Sequence, residues 1–437
     1  MRCKTDAVFC MQDTERFERR LACFLLPIFV EGIRHGGRAP WRLPADCESG
    51  AIIMIFDAEI FKPRHYEAVR RPLLEAETLP VWCYTSPAFY RREVERIWRK
   101  VWNFLGSANH ISNPGDYFTV TFAGTPLIIV RDQDGAVRAY VNSCRHRGCE
   151  LLEGAGNSKL IVCPYHSWSY ELDGRLRGAP DMDQTKGFEK SDNNLIPIRA
   201  DTWGGFIFVC FDNDAPPLKT FLGELPQKLA AYHLEDMVLV RRKSYDIACN
   251  WKLFVENAKE SYHIGTVHSS TIHKYASAKS AGYWVEEAKG EYVITFAQHE
   301  GSMALLKDAK GFPTIETLIG RKEEKGTYAP LIYPSTYLAC TIDCAWYLEM
   351  HPLGPDRTRM IHGALFPRNR LERPDFQELA NNYFTRWDVT IEEDIVASER
   401  QQKGVDTDYA KPGRFSYREP LVHEIDNWVL DQVLDKN

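Results

Sequence analysis

The sequence predicts an α+β protein with two antiparallel β domains in tandem, the second combined with helices. Three observations predict it. Between residues 102 and 215, short β-branched and aromatic runs are separated by glycine turns at hairpin spacing. Beyond the linker Asp212-Asn213-Asp214-Ala215-Pro216-Pro217, further strand-like runs lie between a His-bearing segment at 250–268 and an acidic helix near 394. Each half also carries its own set of metal-ligating side chains.

A length of 437 residues accommodates two or three domains. Hydrophobic content of 44% and charged content of 26% are those of an ordinary globular chain, and a net charge of −6 leaves no basic footprint for nucleic acid. Cys210, Cys249 and Cys340 stand singly among apolar neighbours, a pattern of free thiols in a reducing compartment, which points to the cytoplasm.

Residues 1–53 read as a separate N-terminal extension. Arg19-Arg20 precede an apolar run over 21–30 that is too short to span a bilayer, so no membrane association is expected. The run lies in a segment of mixed charge with no clear small-residue cleavage site after it. The expectation is a disordered extension or a start-site artefact upstream of a true start at Met54.

Residues 54–101 are expected to form two helices that pack on the C-terminal domain. One covers 66–79. The other opens at Ser86-Pro87 and carries Phe89, Val94, Ile97, Trp98 and Val101 at near-helical spacing. Strands follow at 117–121 and 127–130, separated by Gly124-Thr125-Pro126. Asp134-Gly135 then turns the chain into 137–141, and Asp173-Gly174 marks a later turn.

The loops of this β domain, 102–215, hold the first constellation: Cys144-Arg145-His146, sixteen residues, then Cys163-Pro164-Tyr165-His166. Zinc also takes two Cys and two His. Here each half offers one thiolate and one imidazole rather than a Cys pair followed by a His pair. A [2Fe–2S] centre with both thiolates on one iron and both imidazoles on the other uses that arrangement. Gly148 and Gly156 allow close backbone approach, and Pro164 stiffens the second loop. Ser167 and backbone donors could raise the cluster potential, while Trp168 reads as a shield.

Cys144-Arg145-His146-Arg147-Gly148 with Cys163-Pro164-Tyr165-His166-Ser167-Trp168 resembles the Rieske motif of ring-hydroxylating (Rieske non-haem iron) oxygenase α subunits. Respiratory Rieske proteins carry an additional Cys in each loop, joined as a disulfide. This chain has Cys149 in the first loop but Tyr165 at the matching place in the second, so the resemblance is to the oxygenase branch. It extends over about 54–437.

The second constellation lies in 250–268. A mononuclear non-haem Fe(II) site needs two His and one carboxylate on one face of the metal. His263 and His268 would stand roughly 140° apart on an unbroken helix, so the helix has to loosen between them, and Gly265 is placed to allow it. Asn250-Trp251-Lys252, Glu256-Asn257 and Tyr262-His263 resemble the family's catalytic motif, which implies that His263 and His268 ligate iron. By the same resemblance Asp394, in Ile391-Glu392-Glu393-Asp394-Ile395, is the third ligand. Glu393 is an alternative that spacing leaves open. Glu260 and Asn257 are the catalytic candidates. In the family a carboxylate at the place of Glu260 links the cluster of one subunit to the iron of the next. His273 reads as a pocket wall or surface residue.

The resemblance implies a helix-grip catalytic domain over 216–437, a curved antiparallel sheet wrapped on helices. Strands are expected at 292–296, 336–339, 346–350 and 360–366, with Tyr283, Trp284, Tyr333 and Trp346 as candidate pocket residues. It also implies a terminal oxygenase that takes a small organic substrate, O2 and electrons. The electrons come from NAD(P)H through a separate reductase, with or without a ferredoxin. A homotrimer is expected, and a small β subunit is left open. Two substrate cues conflict. The Asn257 to His263 context resembles hydroxylases of aromatic acids, the main expectation. A Glu at 260, where most members have Asp, marks a subgroup acting on quaternary ammonium compounds or removing N-methyl groups. A Rieske electron carrier without oxygenase activity is the alternative of a different class, and it would not need His263, His268 and Asp394.

Overall fold

The computed structural model describes residues 58–273 and 280–434. The expected extension over 1–53 lies outside them. Residues 66–79 are not the expected helix but a series of turns around Pro72. Val69 and Arg70 donate back to the Tyr66 carbonyl, and Glu75 and Ala76 to that of Pro72. Proline has no N–H to give and crowds the preceding turn. The segment is held instead by burial of Tyr66, Val69, Ala76 and Leu79. Helix α1 (Pro87–Glu93) does open at Ser86, whose Oγ accepts the N–H groups of Ala88 and Phe89 at 3.2 and 3.3 Å. A π turn over Val94–Trp98 follows and sets Trp98 edge-on to Trp251, ring centroids 5.1 Å apart.

The first sheet takes β1 (Asn103–Ser107), β2 (Asp116–Phe122), β3 (Thr125–Arg131), β4 (Val137–Val141) and β5 (Ala155–Asn157). After a three-stranded ribbon of β6 (Ile161–Val162), β7 (Ser169–Tyr170) and β8 (Leu176–Gly178), it is completed by β9 (Pro197–Trp203) and β10 (Phe206–Cys210). Its order is β1-β10-β9-β4-β3-β2-β5, with antiparallel pairing throughout. The Asp134-Gly135 turn forms as expected: Asp132 Oδ1 accepts the N–H groups of Asp134 and Ala136. The linker after β10 is clamped. Arg199 donates to the carbonyls of Asp212 and Ala215, and Trp102 Nε1 to that of Pro216.

The second sheet has seven antiparallel strands. They are β11 (Met237–Ile247), β12 (Ser280–Glu286), β13 (Tyr292–His299), β14 (Gly326–Ile332), β15 (Thr336–Cys340), β16 (Ala345–Gly354) and β17 (Arg357–Pro367). Their order is β11-β17-β16-β15-β14-β13-β12. The four expected runs fall in β13, β15, β16 and β17. β11 escaped notice because its Arg241-Arg242-Lys243 centre is charged and only partly buried. β14 was hidden by its Gly326 and Pro330.

Period-2 alternation sorts β16 onto two cores. Trp346, Leu348 and Met350 face helices α2 (Trp251–Ala258), α4 (Phe376–Val405) and α5 (Pro420–Val433). Tyr347 turns the other way, onto Phe104 and Phe206 of the first sheet. The helical face of the sheet is where the second set of metal-type residues collects.

Candidate metal centres and the cavity beside them

The first centre is built by two loops with the same backbone device. The Cys144 carbonyl accepts the Gly148 N–H, and the Cys163 carbonyl accepts the Ser167 N–H, each four residues on. Both closing residues lie at positive φ, +74° at Gly148 and +58° at Ser167. Glycine adopts this freely; serine does so at a cost of about 1 kcal/mol. The loops follow β4 and bridge β6 to β7, and they sit on a small core of Ile128, Leu151, Ile161 and Leu176.

Cys144 and Cys163 are buried, 3% and 2% exposed, and their thiols lie close enough to bear on each other's titration. The His146 and His166 rings stand 4.7 Å apart, nearly perpendicular. Burial alone would push the Cys163 thiol up. The backbone N–H groups of Tyr165 and His166, with the Cys144 and Cys149 thiols, hold it below the usual thiol range. His146 Nδ1 is buried and has no hydrogen-bond partner. Two paired thiols beside two paired imidazoles, one with an orphaned nitrogen, fit a cluster that takes sulfur on one iron and nitrogen on the other. Trp168 shields as expected, its ring stacked on His146 at 4.9 Å and 10°. Sequence reasoning missed Tyr170, whose hydroxyl lies 3.3 Å from Cys144 Sγ and accepts the Arg145 N–H at 3.0 Å. A donor to a cluster sulfur raises its potential.

The second set comes from α2 and the segment after it. Asn250 caps α2 through its side chain and the Lys252 N–H, 3.0 Å. Lys252 Nζ meets Glu93 Oε1 at 2.6 Å, both side chains fully buried. The expected loosening of the helix at Gly265 is not what sets the histidines apart. α2 stops at Ala258, and a one-turn helix, α3 (Ile264–Val267), lies between His263 and His268. The break falls where Glu260 offers its carboxylate to the backbone N–H groups of Tyr262 and His263, a local side-chain alternative to the helical ladder.

The result is a convergent triad. Asp394 Oδ1 lies 3.0 Å from His268 Nε2 and 3.6 Å from His263 Nε2. It is buried yet makes no well-aligned hydrogen bond, as suits an oxygen aimed at a shared metal. His263, His268 and Asp394 form a group whose ligating atoms lie within 4.8 Å of one another. Glu393 is held elsewhere: its Oε2 accepts from His268 Nδ1 at 2.7 Å and from Thr271 Oγ1 at 2.8 Å. The other ring has the same support, His263 Nδ1 lying 2.5 Å from Glu260 Oε1. Carboxylates on both Nδ1 atoms leave both Nε2 atoms free as ligands. Burial pulls the His268 imidazole down, but Asp394 and Glu393 together hold it above its ordinary range.

The triad opens on a cavity of about 650 Å³. Of the expected aromatic residues, Tyr283 and Trp346 line it. Trp284 and Tyr333 do not: Trp284 stacks on Phe296 and Tyr333 on Trp428. Trp284 follows Tyr283 on a strand and so takes the opposite face. Sequence reasoning missed Tyr337, Trp387 and Arg386 in the wall. Asn257 and His273 also line the cavity. Lys259 is 3% exposed and donates to the Ala329 carbonyl at 2.7 Å; burial lowers its pKa to about 7. No helix among the described residues is long and apolar enough to cross a membrane.

Known proteins share this layout. The family model of the ring hydroxylating alpha subunit (catalytic domain) matches residues 234–435, and that of the Rieske [2Fe-2S] domain matches 101–189. The glycine betaine monooxygenase oxygenase subunit of Chromohalobacter salexigens is 28% identical over 391 residues, 82% of this chain and 86% of that one. The carnitine monooxygenase oxygenase subunit of Acinetobacter pittii is 35% identical over 196 residues, 44% of this chain and 53% of its own. A solved quaternary ammonium Rieske monooxygenase in complex with L-carnitine superposes with a TM-score of 0.69 at 24% identity, covering 84% of this chain and 97% of the other.

Proposed function

Because the chain belongs to the Rieske non-haem iron oxygenase α subunits, we propose that it is the terminal oxygenase of a quaternary-ammonium monooxygenase. It takes a small organic substrate, O2 and electrons from a reductase. Bound in their places, the [2Fe–2S] cluster supplies electrons singly and the mononuclear iron supplies the centre at which O2 is activated. We assign Cys144, His146, Cys163 and His166 to the cluster and His263, His268 and Asp394 to the iron. In this reading the chain's other residues orient and enclose. Glu260 and Glu393 fix the two imidazole tautomers, and Asn257 lines the approach to the iron.

The observation that carries the substrate class is the aromatic enclosure. Tyr283, Tyr337, Trp346 and Trp387 all line the cavity onto which His263, His268 and Asp394 face. Ring faces attract an ammonium whose charge is shielded by methyl groups. The relatives point the same way, since those from Chromohalobacter and Acinetobacter are by name monooxygenases of glycine betaine and carnitine. This reading replaces the aromatic-acid expectation. The Glu260 cue, not the Asn257 to His263 context, agrees with these relatives.

We further propose a ring of identical subunits, in which the cluster of one serves the iron of its neighbour through Glu260. The test of the substrate class is product analysis under labelled O2. The iron-loaded protein, a surrogate flavin reductase and NADH are offered N-methylated ammonium compounds or aromatic carboxylates. An aldehyde from the ammonium pool is expected. A labelled hydroxyl on an aromatic ring, with no aldehyde, would sink the proposal.

A further inference from the structure

Arg386 is a charge in the cavity wall that the function above does not use. It sits on the face of α4 that also carries Thr390 and Asp394, at steps of four residues, and all three line the cavity. A guanidinium has five N–H donors. One, on Nη1, reaches Thr390 Oγ1 at 3.2 Å. Nε is buried with no acceptor. The planar group lies over the Trp346 ring, 5.6 Å from its centroid.

No carboxylate among the described residues forms an ion pair with Arg386. The acidic neighbours on α4 are committed: Asp388 to Arg241 and Lys243, Glu393 to His268, and Asp394 to the triad. Of the other cations lining the wall, Lys259 already donates to a carbonyl and Arg418 Nε to the Tyr417 hydroxyl. Burial draws Arg386 below its ordinary range against the opposing pull of Tyr337, Asp394 and Glu393, which marks a cation short of solvent. A half-buried guanidinium whose Nε has no acceptor is costly to leave without an anion, and a bidentate carboxylate is the partner its fork fits best.

We infer that Arg386 is the seat for a carboxylate on the substrate, so that the substrate is a zwitterion, cationic at the iron end and anionic at the other. Eight residues along α4 place the Arg386 and Asp394 Cα atoms about 12 Å apart. The guanidinium reaches one turn toward the iron end, to Thr390, and stays short of Asp394. The Trp346 ring lies against the guanidinium, and Tyr283, Tyr337 and Trp387 share the same wall. An ammonium compound without a carboxylate would leave Arg386 unpaired and place a second cation in the same enclosure. This rests on the cavity being the substrate site of the ammonium monooxygenase proposed above.

The experiment uses the full chain and reads binding as well as turnover. Glycine betaine and L-carnitine carry both groups, choline lacks the carboxylate, and benzoate lacks the ammonium. Dissociation constants are measured by calorimetry for wild type, Arg386→Met and Arg386→Lys. The expected result is that the two zwitterions bind and choline binds far more weakly. Arg386→Met should weaken the zwitterions about thirtyfold or more while choline binds no more weakly than before, the loss typical of removing one partner of a buried charge pair. Arg386→Lys should recover part of the loss. Choline binding as tightly as the zwitterions to wild type would overturn the inference and leave the ammonium reading standing, and this holds even if Arg386→Met fails to fold. Equal weakening of all ligands in Arg386→Met would also overturn it. Benzoate binding in an Arg386-dependent way, with no ammonium compound bound, would keep the carboxylate seat and overturn the zwitterion and the ammonium reading together.

Discussion

The contrast between Glu393 and Asp394 supports a test in which neighbouring residues have separate expected failures. Asp394 Oδ1 shares a point with both Nε2 atoms, whereas Glu393 touches only the far side of His268, at 2.7 Å from Nδ1. Asp394→Ala therefore removes one of three ligands. The expected outcome is that iron per chain falls from three to two, the cluster remaining. Glu393→Ala removes no ligand. It frees the His268 tautomer and leaves Thr271 Oγ1 without its acceptor. Loss of such an orienting partner typically lowers metal affinity ten- to a hundredfold, about 1.4–2.7 kcal/mol. Glu393→Ala should thus reload to three irons at raised Fe(II), with a midpoint shifted by that factor. The assay is elemental analysis after dialysis against graded Fe(II), with the cluster absorbance as internal standard. If Glu393→Ala held two irons at any Fe(II) concentration while Asp394→Ala held three, the ligand assignment would be reversed.

Other consequences lie outside the iron site. Glu93→Gln leaves the fully buried Lys252 ammonium without its counter-charge; urea unfolding should show a loss of about 3–5 kcal/mol. Cys163→Ala should abolish the visible spectrum of the cluster while circular dichroism and the iron bound by the second site are retained. Lys259 has a folded pKa of about 7 against an ordinary 10.5. Between those values the unfolded chain holds a proton that the folded chain does not, so stability rises with pH across that window. Lys259→Met should flatten that rise, seen as a wild-type minus variant difference in denaturation midpoint that grows from pH 7 to 10.

The cluster loops were legible because all four ligands are local. Their spacing survives whatever the rest of the chain does, and only Tyr170, reached across the ribbon, escaped. The iron triad was legible by likeness but not by geometry. Spacing could not separate Glu393 from Asp394, which step about 100° apart round α4 and approach His268 from opposite ring nitrogens. The cavity was least legible. On a strand the side chain's face depends on register, so Tyr283 and Trp284 were equal candidates until β12 paired with β13. Arg386 and Trp387 belong to no motif in the sequence. Only the packing of α4 on the sheet turns Trp387 toward Trp346 and sets Arg386 in the wall beside it.

Glu260 illustrates how one side chain could serve two ends. Oε1 lies 2.5 Å from His263 Nδ1, and Oε2 takes the N–H groups of Tyr262 and His263. Within the chain this is a brace. The residues beside it are exposed: Tyr262 at 59% and Tyr417 at 71%. On the cluster side Tyr165 is exposed at 58%. The Glu260 side chain is itself 11% exposed behind these residues, and a carboxylate already bonded to one imidazole can accept from a second imidazole of a neighbouring subunit, as the proposed relay requires. Brace and relay differ in what iron can rescue. A brace acts on one ligand of three, so excess Fe(II) should restore the turnover of Glu260→Ala. A relay acts on electron delivery, which added iron cannot replace. The expected result is that iron-saturated Glu260→Ala keeps both metal centres, still binds substrate and remains inactive with reductase and NADH. Full turnover on saturation would reduce Glu260 to its bond with His263 and remove the argument for electron passage between subunits at this residue.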